Sequence, residues 1–285
     1  MNVLKTGLLL VLMTGLLIVI GHLIGGAQGA TAAFGFALVV NLIAYWFSDR
    51  LVLAMYRAQP LSEADAPAVH RAVREIATRD RIPMPRLYWI PTDAPNAFAT
   101  GRSPKRAAVA VTRGLLELMS EEELKGVLAH ELSHVKNRDT LVMTIAAALA
   151  GAIMTLADWA RWGFMFGGGR SRNENRGAAA LQLVVVLLIA ILAPLAAMLI
   201  QLAISRTREY GADEVGARLA GSPYGLASAL EKLEQAAKRR PMLGANPATA
   251  HLFIVNPLSA GSIAKLFSTH PPVEERVRRL RSMRL

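Results

Sequence analysis

Cysteine is absent from this chain. That removes disulfides and thiolate metal ligands together, so any metal site must be built from nitrogen and oxygen. Acidic residues are in the minority, 21 against 32 lysines and arginines, for a formal net charge of +11. A basic excess suits a nucleic acid, but no stacking aromatics and no nucleic-acid-binding pattern accompany it, so nucleic acid is set aside as a partner. Attraction to an anionic lipid bilayer accounts for the charge instead. Gly167-Gly168-Gly169 follows no strand and lacks phosphate-loop spacing, and it reads as a flexible loop. What the chain has in quantity is hydrocarbon. Of its 285 residues 53% are hydrophobic and the mean hydropathy is positive, which points to membrane spans.

Four apolar stretches divide the chain. Gly7–Ile24 and Ala30–Phe47 follow each other almost at once, too long together for a cleaved signal, and predict a helical hairpin with a short uncharged turn. Thr140–Ala157 and Ala178–Ile204, the latter with Pro194 as a kink, flank a polar stretch at Asp158–Gly177. The expected organisation is therefore a membrane hairpin over 1–49, a first polar part over 50–139, a second hydrophobic hairpin over 140–204 and a second polar part over 205–285, the two polar parts together carrying the residues considered next. Between the hairpins, Ser62-Glu63-Ala64-Asp65 is expected to open a helix reaching about Arg79. Arg86–Ile90 and Ala107–Thr112 are short strand candidates, with Asn96-Ala97-Phe98-Ala99 between them; they form either a plain supporting sheet or an edge for an added substrate strand.

The chemistry lies in Leu124–Asp139, within His130-Glu131-Leu132-Ser133-His134. Residues four apart share one helix face, so both imidazoles can reach one metal ion while Glu131 projects beside them. This is the H-E-x-x-H pattern of a zinc peptidase, with Glu131 as general base. Ser120 with Glu123 reads as a capping box starting the helix, and Leu124, Val127, Leu128, Leu132 and Val135 give it an apolar stripe, so one side is expected to be buried. The apolar stretch from Thr140 is expected to continue this helix.

A third ligand has to come from elsewhere, because Thr140 stands where the extended motif has a further His. Glu209, opening a helix after the last apolar run, is a better candidate than Glu174 in the loop. Asp213, one turn on, can accept a hydrogen bond from the outer nitrogen of a ligand imidazole. The alternative is a solvated face in which Glu209 and Asp213 pair with Arg206 and Arg208. His251 reads as a packing or hydrogen-bonding residue. In the last helix Val273, Val277 and Leu280 form a docking stripe, with Arg276, Arg278, Arg279, Arg281 and Arg284 expected outward.

Taken together, His130–His134, Ser205–Asp213, Ser268-Thr269-His270-Pro271-Pro272 and Asn96–Ala99, in that set, resemble the HtpX family of membrane zinc metalloproteases, relatives of the CAAX prenyl proteases. The resemblance spans nearly the whole chain. It implies an α-helical membrane protein with an α+β zincin-like (gluzincin) catalytic domain, a small β-sheet beside the metal helix and one zinc ion per chain. It further implies zinc ligands His130, His134 and Glu209, general base Glu131, and supporting or substrate-binding roles for Asp213, Asn96 and His270. The expected location is the bacterial inner membrane, multi-pass, with the catalytic domain cytoplasmic, acting on membrane-protein or unfolded polypeptide substrates in quality control under stress. Against the four-span picture, the loop carrying Arg161, Arg170, Arg172 and Arg176 would face outward. Either it is exported despite its charge or the second hairpin lies shallowly without crossing. A prenyl-protein processing protease and a non-catalytic metal-binding scaffold are the alternatives; the scaffold has no use for Glu131.

Overall fold

The computed structural model describes residues 2–151, 153, 206–239, 242, 245–246, 248–257 and 271–285. The chain begins with α1, Asn2–Met55, which folds back on itself where Gly25 and Gly26 leave helical geometry, Gly26 at φ 60°. The two arms pack so closely at Gly21 that a Cβ there would collide with Gly29 and Ala33. Asn41 ties them, its Nδ2 donating to Thr14 Oγ1 at 2.8 Å and to the Leu10 carbonyl at 3.3 Å. The expected hairpin is thus present, but its second arm runs six residues past Asp49 to Met55. That arm, Gly25–Met55, is long and apolar enough to cross a bilayer by length and composition, and it is largely exposed along its length.

After the hairpin come β1 (Gln59–Pro60), α2 (Pro67–Arg79), β2 (Arg86–Ile90), β3 (Ala97–Thr100), β4 (Ala108–Thr112), α3 (Arg113–Leu118) and α4 (Glu121–Lys136). α2 starts later than expected: Ser62 and Asp65 bond each other in a turn, and Pro67, whose missing N–H costs nothing at a first helical position, begins the helix. The sheet order is β1-β2-β4-β3, with β2 and β4 parallel and the outer pairs antiparallel. β3 therefore forms one edge.

α4 is the centre of the domain. Its N-terminus carries the expected capping box between Ser120 and Glu123. From Glu123 to Val135 every residue except Lys125 is buried, so the helix is enclosed on all sides rather than on one. Its flanks are α2, β3, α6 (Arg206–Ala220) and α7 (Pro223–Arg239), and the C-terminal α8 (Val273–Ser282) packs on α6 and α7. Helix α5, Asp139–Gly151, follows. It is not a continuation of α4, because Asn137 and Arg138 form a turn with Arg138 at φ 57°. α5 packs against the hairpin through Leu141, Val142, Ile145 and Leu149, which meet Leu9, Met13, Leu17, Ala37 and Ala44. The long run at Ala178–Ile204, the polar stretch before it with Glu174, and His270 lie outside the described residues.

Glu123 does more than cap. Burial pushes its carboxyl up, but Lys232 Nζ at 2.8 Å, Ser228 Oγ at 2.5 Å and the Ser120 N–H outweigh that and hold it down to about 2. A depressed carboxyl contributes stability above its unfolded value near 4.5, and that contribution is lost as the pH falls toward 2. Glu123→Gln is expected to cost about 1–2 kcal/mol at neutral pH, allowing for the partial exposure of Lys232, and to flatten the acid limb of the stability curve. Thermal melts at pH 7 and pH 3.5 check this; an equal loss at both would count against it.

Candidate metal centre

Three donors converge at the middle of α4. His130 Nε2 and His134 Nε2 are 3.2 Å apart, and Glu209 on α6 places Oε2 3.9 Å from the first and Oε1 3.5 Å from the second. All three residues are buried, and their ligand atoms lie within 4.8 Å of one another. Helical spacing supplies the imidazoles; the approach of α6 supplies the carboxylate. That approach depends on Gly216, where a Cβ would stand 2.9 Å from the His130 backbone N and 3.0 Å from its Cα.

The outer nitrogens of both rings are held. His130 Nδ1 lies 2.9 Å from Asp213 Oδ1, as the spacing suggested, and His134 Nδ1 lies 3.2 Å from Asp139 Oδ2. Such partners fix the tautomer that turns Nε2 toward a metal. The solvated-face alternative for Glu209 and Asp213 does not hold, since they are 2% and 3% exposed; Arg208 lies beside Asp139 at 3.5 Å instead. Asp139 was not expected as a participant. In an unbroken helix, residues five apart point about 140° away from each other, and the turn at Asn137–Arg138 is what brings Asp139 back to His134.

Arg276 is the larger departure. Rather than facing outward it is fully buried, and it donates from Nε to Asp213 Oδ2 at 2.8 Å and from Nη2 to Asp213 Oδ1 at 2.7 Å. The signal was in its register, since Val273, Arg276, Val277 and Leu280 share one helix face. Asn96 stands apart from the three donors: its Nδ2 donates to the Val255 carbonyl at 2.8 Å and its Oδ1 accepts from Ala97 N at 3.1 Å. His251 makes the expected hydrogen bond, to the Met143 carbonyl at 3.0 Å.

The electrostatics fit a divalent cation. Glu131, Glu209, Asp213 and Asp139 are all buried, and the guanidiniums among them are Arg276 and Arg208. Among the described residues four carboxylates face two guanidiniums, and the deficit equals the charge of one divalent ion bound by neutral imidazoles. Without such an ion, protons make up the difference. Burial lowers the His134 pKa, but Asp139, Glu209 and Glu131 outweigh it and raise it to about 9. Burial raises Glu131 to about 7 against the pull of His134. His130, buried and near Arg276, is pushed down to about 4 although Asp213 raises it.

The model of peptidase family M48 matches residues 63–284. The chain belongs to peptidase family M48. M48 membership makes it a metalloprotease. A Protease HtpX homolog of Syntrophobacter fumaroxidans is 61% identical, over 98% of each chain. One of Pyrococcus furiosus is 55% identical over 98% of this chain and 95% of the relative. Ste24p of S. mikatae, seen in a crystal structure, shares the fold at 17% identity, with a TM-score of 0.51 over 94% of this chain. The chain spans 62% of Ste24p.

The glycine at the helix crossing gives a test. Gly216→Val is expected to force α6 off α4, lowering stability by about 1–3 kcal/mol, and to weaken metal binding because Glu209 and Asp213 ride on α6. Melting temperature and metal content after dialysis are the measurements; a destabilised variant holding metal as tightly as the parent would show that the crossing does not set the donor geometry.

Proposed function

We propose that the chain is a zinc-dependent endopeptidase of the cell inner membrane that cuts unfolded or misassembled membrane proteins at the cytoplasmic face. The observation that carries this reading is the convergence of His130, His134 and Glu209 within 4.8 Å, with Glu131 on the same turn of α4. His130, His134 and Glu209 serve as the zinc ligands in this reading, and the nitrogen–oxygen donor set suits zinc. Zinc, when bound, polarises the scissile carbonyl and acidifies water. Glu131 accepts a proton from the attacking water and passes it to the leaving amine. Asp213 and Asp139 hold the imidazoles in register.

The substrate edge follows from the ladder of β3. Asn96 bonds Thr112, the Thr112 N–H donating to the Asn96 carbonyl at 3.0 Å. Alternation along an antiparallel pair then turns the N–H and C=O of Ala97 and Ala99 away from β4. The Ala99 N–H meets Glu131 and the Ala97 C=O accepts from the Ile254 N–H, so this edge runs beside the general base, and an extended peptide added to it as a strand would take the place of those bonds. Asn96, by fixing Val255 and Ala97, shapes that edge. His270, outside the described residues, keeps its expected role of polarising or binding the peptide as part of the same proposal.

Location follows from how α1 and α5 meet the domain. Lys5 lies in the first turns of the first arm, Arg50 in the last turns of the second and Arg57 just beyond it, and the turn between the arms is uncharged; this supports reading both ends as cytoplasmic. Trp46 and Tyr45 sit near that end, with the Arg102 guanidinium 3.8 Å from the Trp46 ring centroid, a pairing suited to the lipid head-group region. The division into 1–49, 50–139, 140–204 and 205–285 stands as the proposed organisation. Likeness to Ste24p at this identity is one of fold alone, and four candidate spans are few for the enclosing chamber that a prenyl-protein processing protease needs.

The deciding experiment is zinc-dependent cleavage of casein by the detergent-purified chain beside Glu131→Gln. The variant is expected to retain zinc and lose cleavage; if it still cuts, the assignment of Glu131 is wrong. A site that accepts unfolded segments is also expected to clip the chain's own Gly167–Gly177 stretch once zinc is added. Mass spectra showing only intact chain after zinc addition would count against this.

A further inference from the structure

Arg276 has no part in the chemistry above, yet it occupies a position where the stripe of α8 calls for a hydrocarbon side chain. Burying a guanidinium is costly unless its donors are matched, and here they are matched in two directions. On one side Nε and Nη2 grip both oxygens of Asp213, at 2.8 and 2.7 Å, Asp213 Oδ1 is 2.9 Å from His130 Nδ1, and Nη2 itself lies 3.5 Å from both nitrogens of the His130 ring. On the other side Nη1 donates to the Ile254 carbonyl at 3.0 Å, and the Ile254 N–H donates to the Ala97 carbonyl at 3.1 Å. Ala97 is the buried first residue of β3, its C=O turned away from β4, and the neighbouring Val255 is held by Asn96. One planar fork thus touches the partner of a ligand imidazole and the segment that closes one end of the peptide edge.

We propose that Arg276 is a positioning residue that couples the His130 imidazole, through Asp213, to the β3 edge, through Ile254. The inference rests on the ligand set proposed above. A lysine could hold one oxygen of Asp213 or the carbonyl, but not both oxygens and the carbonyl at once, which is the reason for a fork. A purely structural role for the buried side chain would move the melting temperature and leave metal affinity alone.

The test measures zinc dissociation by competition with a chromophoric chelator, and KM and kcat at saturating zinc on a quenched fluorescent peptide, using the full chain in detergent. Asp213→Asn is expected to weaken zinc binding by about 10–100-fold with KM unchanged. Arg276→Gln is expected to weaken zinc binding by the same factor and also to raise KM, because Ile254 is released. The double variant is expected to lose less zinc affinity than the sum of the two single losses, since Arg276 reaches His130 partly through Asp213 and partly by direct contact. Arg276→Lys, which keeps the buried charge, should fall between parent and glutamine variant, and it carries the same comparison if Arg276→Gln does not fold. Wild-type protein that takes up no zinc would overturn the ligand set and this inference with it. Wild-type protein that binds zinc while the Arg276 variants bind it equally well would overturn this inference alone.

Discussion

Four carboxylates buried within one small region cannot remain there without matching positive charge, and much of the architecture is arranged to supply it. Among the described residues Arg276 and Arg208 contribute two charges; a divalent cation, or protons on His134 and its neighbours, would supply the remaining two. The raised pKa of His134 and of Glu131 expresses the second condition. The same constraint explains why α8 has to dock. Without it Asp213 would face His130 with no cation against its other oxygen. It also explains the interruption after α4, which brings Asp139 onto the second imidazole. The packing of small residues serves this end too: at Gly126 a Cβ would stand 2.6 Å from the Leu226 backbone, and Gly216 admits the His130 backbone, so α6 and α7 close on α4 near backbone contact.

How much of this could be read from the chain depends on whether the information was periodic. His130, Glu131 and His134 share one turn, and Glu209 and Asp213 share another, so their placement follows from 3.6 residues per turn together with the need for a third donor. The capping box at Ser120 and the two central strands were legible for the same reason, because local patterns carry them. Asp139 was not, since its role depends on a helix break at a residue, Arg138, that has no glycine or proline to announce it. Arg276 was misread because a charge in a basic segment reads as solvated, although its position in the stripe of Val273, Val277 and Leu280 pointed inward. Likewise Ser62 looked like a helix start, and only the turn formed with Asp65 shows that Pro67 takes that position.

The break after α4 also bears on where the chemistry happens. α5 starts at Asp139 and packs on the same hairpin whose second arm has the length and composition of a span. Asp139 is therefore both the first residue of an apolar helix and the partner of the His134 imidazole. Any displacement of α5 along the hairpin would act on His134 through Asp139. A peptidase built this way need not search for the membrane surface. In the proposed orientation the His134 imidazole is tied through Asp139 to the start of an apolar helix, so a substrate segment is met close to where it leaves the bilayer, and selection of substrate becomes a matter of which chains present an extended segment there.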